Sequence, residues 1–265
     1  MEEENIKIRQ ISLVAFYGEK DLDNIFWKHI ENIQNILGKN LNDDYQRYQS
    51  KQIHGTIIGL EAAQFDSSLI GKNFLENQNK IVRLDLSSIL DYIYNSDLLP
   101  FEIKVGGFEN KDEVFTSRGL LPFQRSFFIQ SDTVVTMGWP FKENTYMPVL
   151  DTLRRRLSYY GALHKYHTAP DSYDNDFFFV LGNLAKPLTK KVSEDLQELV
   201  QNEMQSWKGT NIKLTKNDLG IVAYKGTRLK DAKFFSLKEA MNCMDELRNF
   251  YPKYENAIKN NDWLE

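Results

Sequence analysis

Ile53-His54-Gly55-Thr56-Ile57-Ile58-Gly59-Leu60 reads as a short β-strand and decides how the rest of the chain is assembled. Side chains alternate along a strand, so His54 and Thr56 share one face. An imidazole beside a hydroxyl suits work on a phosphodiester. The ring exchanges a proton near neutral pH, and the hydroxyl donates to a non-bridging oxygen. Spacing alone favours the plainer reading, a histidine at a strand end beside a β-favouring threonine, because His-x-Thr is a short pattern.

Upstream, residues 11–16 (ISLVAF) form a run of β-prone apolar side chains. Asp23 can cap a helix running to about Gly38, with Ile25, Phe26, Ile30, Ile33 and Ile36 at helical spacing. The first unit is therefore strand–helix–strand. Residues 66–80 read as a surface loop and 82–94 as a helix. Residues 100–105 (PFEIKV) alternate as a strand that ends at Gly106-Gly107. Strands at 125–130 and 133–139 follow, joined tightly at Ser131-Asp132. Pro148 opens a helix that Gly161 closes, and residues 176–181 (DFFFVL) are the next strand. This second strand–helix–strand unit suggests an internal duplication. A helix over 189–207, strands at 211–215 and 219–224, and a final helix over 236–250 complete the chain. Ser236 with Glu239 fits a capping box for that last helix. No Pro- or Ser-rich linker interrupts the 265 residues, so a single domain is expected over 1–265.

Composition narrows the function classes. The 33 basic and 37 acidic residues give a net charge of −4. Non-specific binding to a DNA duplex needs a strong positive field, which this balance does not supply, so any nucleotide contact must come from a local pocket. The single cysteine, Cys243, allows no intrachain disulfide and fits a reducing, cytoplasmic setting. The first ten residues (MEEENIKIRQ) do not read as a signal peptide, and no apolar run approaches the roughly 18 residues of a membrane span.

The order of these elements resembles the 2H (two-histidine) phosphoesterase superfamily, which includes the 2′-5′ RNA ligase-like proteins. The likeness is carried by strand 11–16, the helix from Asp23 to Gly38, and His54-Gly55-Thr56 with its apolar tail. It continues through Pro100-Phe101-Glu102-Ile103, followed by Gly106-Gly107-Phe108, and through Gly220-Ile221-Val222-Ala223-Tyr224. It spans roughly residues 11–235. The resemblance implies an α+β fold of two strand–helix–strand lobes, about 11–110 and 120–235, related by a pseudo-twofold axis around a central cleft. The C-terminal helix, about 236–250, is an addition. It implies a hydrolase of phosphodiesters that works without metal or other cofactor. One imidazole takes a proton from the attacking oxygen, and a second delivers one to the leaving oxygen.

The second His-x-Thr/Ser of that family is missing here. Laid against it, Asp176 falls at the histidine and Phe178 at the hydroxyl residue. His54 and Thr56 are thus the expected catalytic pair, with Asp176 or the loop residue His167 as the second acid–base group. Loss of one such group typically costs about 10²–10⁴ in rate. Phe178 could stack on a base, and Tyr224 and Arg228 are candidate substrate contacts. The resemblance implies a nucleotide or RNA terminus as ligand, bound as a 2′,3′-cyclic or 2′-5′ phosphodiester. The alternative is a degenerate binding or interaction module with no turnover.

Blander expectations attach to the other polar residues. His29 is packed or solvated, and His164 and His167 are solvated loop residues unless the loop folds one over the pocket. Asp171, Asp174 and Asp176 form a solvated acidic loop or a hard-cation site. Arg154-Arg155-Arg156 fans around one turn as a solvated face.

Overall fold

The computed structural model describes residues 10–18, 22–109, 115–225 and 230–254. The chain is a mixed α+β fold built on a large antiparallel sheet. In order it runs β1 (Gln10–Ala15), α1 (Asn24–Leu41), β2 (Tyr45–Arg47), β3 (Gly55–Gly59), β4 (Ala62–Phe65), β5 (Ser68–Gly71), α2 (Lys72–Gln78), α3 (Leu86–Asn95) and β6 (Phe101–Val105). Then come α4 (Pro122–Arg125), β7 (Phe127–Gln130), β8 (Thr133–Lys142), β9 (Thr145–Tyr146), α5 (Val149–Ser158), β10 (Phe177–Leu184), α6 (Lys190–Gln205), β11 (Thr210–Leu214), β12 (Leu219–Lys225), β13 (Lys230–Ser236), α7 (Leu237–Asn242) and α8 (Met244–Arg248).

The main sheet has the order β11-β6-β8-β10-β3-β1-β12-β13, with β2 added to β10 and β7 and β9 added to β8. Burial alternates along β6 and β11, as a half-covered sheet requires. One face carries Leu13, Ile57, Phe177, Phe179, Ile103 and Ile221 into the main core, where the apolar stripes of α1, α3, α5 and α6 cover them. The opposite face carries a second, aromatic core of Phe108, Phe123, Met137, Trp139 and Phe141.

Helix α1 begins where expected, with the Asp23 carboxylate accepting from the Ile25 amide at 2.6 Å. Three differences from the sequence reading have local causes. Residues 68–71 and 72–78, expected within a loop, form β5 and α2; β5 pairs with β4 as a separate hairpin. The final helix is broken at Cys243, whose φ and ψ of −116° and 36° are not helical. Strand β13 pairs with β12 and extends the sheet by one strand. Among the described residues no helix is long and apolar enough to cross a membrane.

The seam between β3 and β10 positions the site. Only Gly55 and Phe179 are paired across it. A β-carbon on Gly55 would overlap the Phe177 ring, so only glycine lets the strands meet here. On its other side β3 pairs with β1 and carries Ile57 as an extra residue, since Leu13 faces Ile58 while Val14 faces Thr56.

Candidate functional site

Gly55 points toward Phe177 and the main core. Alternation therefore turns His54 and Thr56 to the opposite face. The pairing of Gly55 with Phe179 turns Phe178 to that same face. Thr56 is half-buried there, with Val14 across from it on β1.

His54 is 6% exposed. Its Nδ1 lies 2.7 Å from the Gln52 carbonyl oxygen. A carbonyl only accepts, so Nδ1 carries the proton and donates it; the neutral ring keeps its lone pair on Nε2. Burial holds the imidazole below its ordinary pKa, against a smaller upward pull from Gln52. The ring edge meets Tyr17 at 5.5 Å, and Tyr17 stacks on Phe234 at 5.5 Å. His54 is thus an oriented, neutral base under an aromatic cover.

Asp176 has a different environment. One carboxylate oxygen accepts from Ser117 Oγ at 2.6 Å and Trp139 Nε1 at 2.8 Å, and the other from Arg125 Nη2 at 3.0 Å. Arg118 Nε stands 3.8 Å away. The residue is buried, and its acceptor sites are engaged by donors of the fold. Neighbouring Asp174 accepts from Arg154 Nη1 at 2.9 Å and Arg118 Nη2 at 3.0 Å. Burial alone would raise its pKa; His164, Arg154 and the Asp176 amide outweigh that and hold it well below the usual carboxylate range.

Arg154 is fully buried, which overturns the solvated-face reading at that residue, while Arg155 and Arg156 remain partly exposed. Its Nε donates to Ile57 O at 2.7 Å. Its Nη2 reaches Thr56 O at 3.3 Å and Asp176 O at 3.0 Å. Where the β3–β10 ladder stops, this guanidinium bridges the two strands instead. The bulge at Ile57 and the loss of a ladder partner leave carbonyls that a planar, five-donor group can satisfy.

The loop histidines are buried, at 4% exposure each, rather than solvated. His167 Nε2 is 2.9 Å from Asp151 Oδ1, and the same oxygen accepts the Asp174 amide at 2.9 Å. His164 Nε2 lies 3.6 Å from Asp174 Oδ2. Burial, with the charge of Arg154, lowers its pKa to about 3. His29 packs against Trp207 with ring centroids 5.2 Å apart. Of the acidic run, Asp174 and Asp176 are spent on guanidinium groups, while Asp171 is exposed.

Tyr224 is half-buried with its hydroxyl 3.5 Å from Ser12 Oγ; burial pushes its pKa to about 12, and Glu61 adds to the rise. Arg228 lies outside the described residues. Phe178 edges the aromatic core and meets the Tyr166 ring at 6.3 Å. Tyr166 itself lies under Arg118, at 4.0 Å from the ring centroid, and Lys165, at 4.8 Å. Burial would raise the Tyr166 phenol, but Lys165 and Arg118 outweigh it and hold the pKa below the ordinary tyrosine value.

The face shared by β3 and β10 thus brings together His54, Thr56, Phe178 and Tyr166. It does not bring Asp176 or His167 to them as free groups. Arg118 and Tyr166 escaped the sequence reading because neither stands in a motif; each becomes a neighbour only when loops 115–121 and 159–176 fold against β10. No protein-family model matches the sequence, and no curated protein matches it.

Proposed function

We propose that this chain is a 2H-like protein that binds a nucleotide or RNA-end phosphodiester, 2′,3′-cyclic or 2′-5′ linked, without turning it over. The carrying observation is the contrast across the seam. His54 and Thr56 stand on the face that also bears Phe178, whereas the carboxylate at the second motif position is saturated by Ser117, Trp139 and Arg125. Thr56 donates to a non-bridging oxygen, Phe178 offers a ring for a base, and His54 supplies one acid–base group of the two that the reaction needs. The strand order does not follow the expected lobes 11–110 and 120–235: β6 of the first stands on the β10 side of the seam, and β12 and β13 of the second stand on the β3 side.

Calorimetry with 2′,3′-cyclic AMP and a 2′-5′-linked diadenylate tests this, with product formation followed in parallel. Saturable binding without product is expected, and Thr56→Val weakens it about tenfold through loss of a hydrogen bond to a charged group. No binding of either probe overturns the proposal. Hydrolysis that disappears in His54→Ala replaces the binding module with a working hydrolase.

A further inference from the structure

We propose that Arg118, Tyr166 and Lys165 form an anion site that takes a phosphomonoester group at the edge of the Thr56–Phe178 face. That the group belongs to a nucleotide rests on the function proposed above; the site itself follows from the charges and geometry around Asp174 and Asp176.

Two carboxylates, Asp174 and Asp176, are shared among three guanidinium groups. Arg154 is fully buried and Arg125 nearly so, and each donates to one of the two carboxylates. Arg118 is the third. Its Nη2 reaches Asp174 at 3.0 Å, yet its side chain remains 39% exposed. With two negative charges already matched by the buried arginines, the charge of Arg118 is surplus and faces outward.

Lys165 adds a second cation. It is exposed, and no carboxylate among the described residues stands within ion-pair distance of it. The Lys165 backbone is held in place by Asn77, whose side-chain amide donates to Lys165 O at 3.3 Å. Glu61 is an acidic group whose field reaches Lys165; burial raises its pKa, and the charges of Lys72 and Lys165 oppose that rise. Both cations lie against the Tyr166 ring, so they stand apart by no more than the sum of their two distances to its centre. A tetrahedral dianion is the ligand whose charge matches the pair. It accepts from the guanidinium, the ammonium and the phenolic hydroxyl together, three charge-assisted or polar donors converging on one oxyanion. Tyr166 in turn leads to Phe178, which places the phosphate next to the ring offered to a base.

Titration of the full chain with inorganic phosphate, followed by calorimetry and by ³¹P NMR, tests the site. Saturable binding is expected that weakens with added sodium chloride and falls about fivefold in Lys165→Gln. Tyr166→Phe gives a smaller loss. Arg118→Lys keeps the charge but loses the planar fork, and weakens phosphate binding while leaving the urea midpoint close to that of the parent. Absence of saturable phosphate binding, or equal binding by the parent, Lys165→Gln and Arg118→Lys, overturns the anion site. Adenosine 5′-monophosphate separates this inference from the function proposed above. If it binds no tighter than inorganic phosphate while Lys165→Gln weakens both, the anion site stands and the nucleotide reading fails. If the cyclic and 2′-5′ probes bind through Thr56 but Lys165 and Arg118 are without effect on phosphate, the reverse holds.

Discussion

Arg154 and Asp174 form an ion pair at 2.9 Å with both side chains at 2% exposure or less. The pair is more than a contact between two charges, because the same guanidinium also holds Ile57 O, Thr56 O and Asp176 O. Arg154→Met therefore takes from the buried Asp174 carboxylate one of its two guanidinium partners, Arg118 remaining, and takes a donor from the carbonyls of Thr56, Ile57, Asp174 and Asp176 at once. A loss of about 3–5 kcal/mol is expected in urea unfolding. Arg156→Gln, two residues on, removes a contact to the exposed Asp97 and should leave the midpoint nearly unchanged. Equal effects at the two positions would rule out the strand-bridging role.

Asp176→His restores the residue that the 2H resemblance calls for, and it should fail. The substitution removes the acceptor shared by Ser117, Trp139 and Arg125 and leaves buried positive charge unmatched. Destabilisation of about 3–5 kcal/mol is expected, with no gain of phosphodiesterase activity. A stable Asp176→His protein that hydrolyses 2′,3′-cyclic AMP would refute this account of the second motif.

The single pairing of Gly55 with Phe179 depends on the missing side chain at position 55. Gly55→Ala pushes a methyl into the Phe177 ring, an overpacking that costs about 1–3 kcal/mol. Phe177→Leu in the same chain makes room and should recover part of that loss. A double-mutant cycle measures the recovery, and strict additivity of the two changes would show that the clash is not the cause.

Acid sensitivity should begin early. His29, His54 and His164 are all held below their ordinary value near 6.5 by burial, His164 down to about 3 with help from Arg154. Below pH 6.5 the unfolded chain takes up protons that the folded chain refuses, so stability falls as the pH drops. Each such imidazole contributes a slope of at most about 1.4 kcal/mol per pH unit. Asp151 and Asp174, whose pKa values the fold lowers, add a further loss only below the ordinary carboxylate range. The urea midpoint should decline between about pH 7.5 and about pH 5.5, and a flat profile there would exclude the histidine contribution.

Much of the architecture was legible because it is written in local pattern. The ISLVAF run, the helical spacing after Asp23, the alternation in residues 101–105 and the Ser236–Glu239 capping box each became the expected element. Residues 154–156 show where such reading stops. Three adjacent arginines look alike in sequence, yet Arg154 turns inward to a gap between strands that only the assembled sheet creates. His164 and His167 were unreadable for the same reason. Their burial is set by Asp151 and by Asp174, on a helix and a loop that meet only in the fold. The face bearing His54 and Thr56 followed from strand alternation, whereas Tyr166 and Arg118 required tertiary packing to become neighbours.

Most sheets are held at their midline by repeated main-chain pairing, which tolerates almost any side chain. Here β2 pairs with the far part of β10, and between β3 and β10 the task falls on one residue pair and one arginine. A change of a single side chain at position 154 therefore acts at this seam as a break in the backbone network would in another sheet.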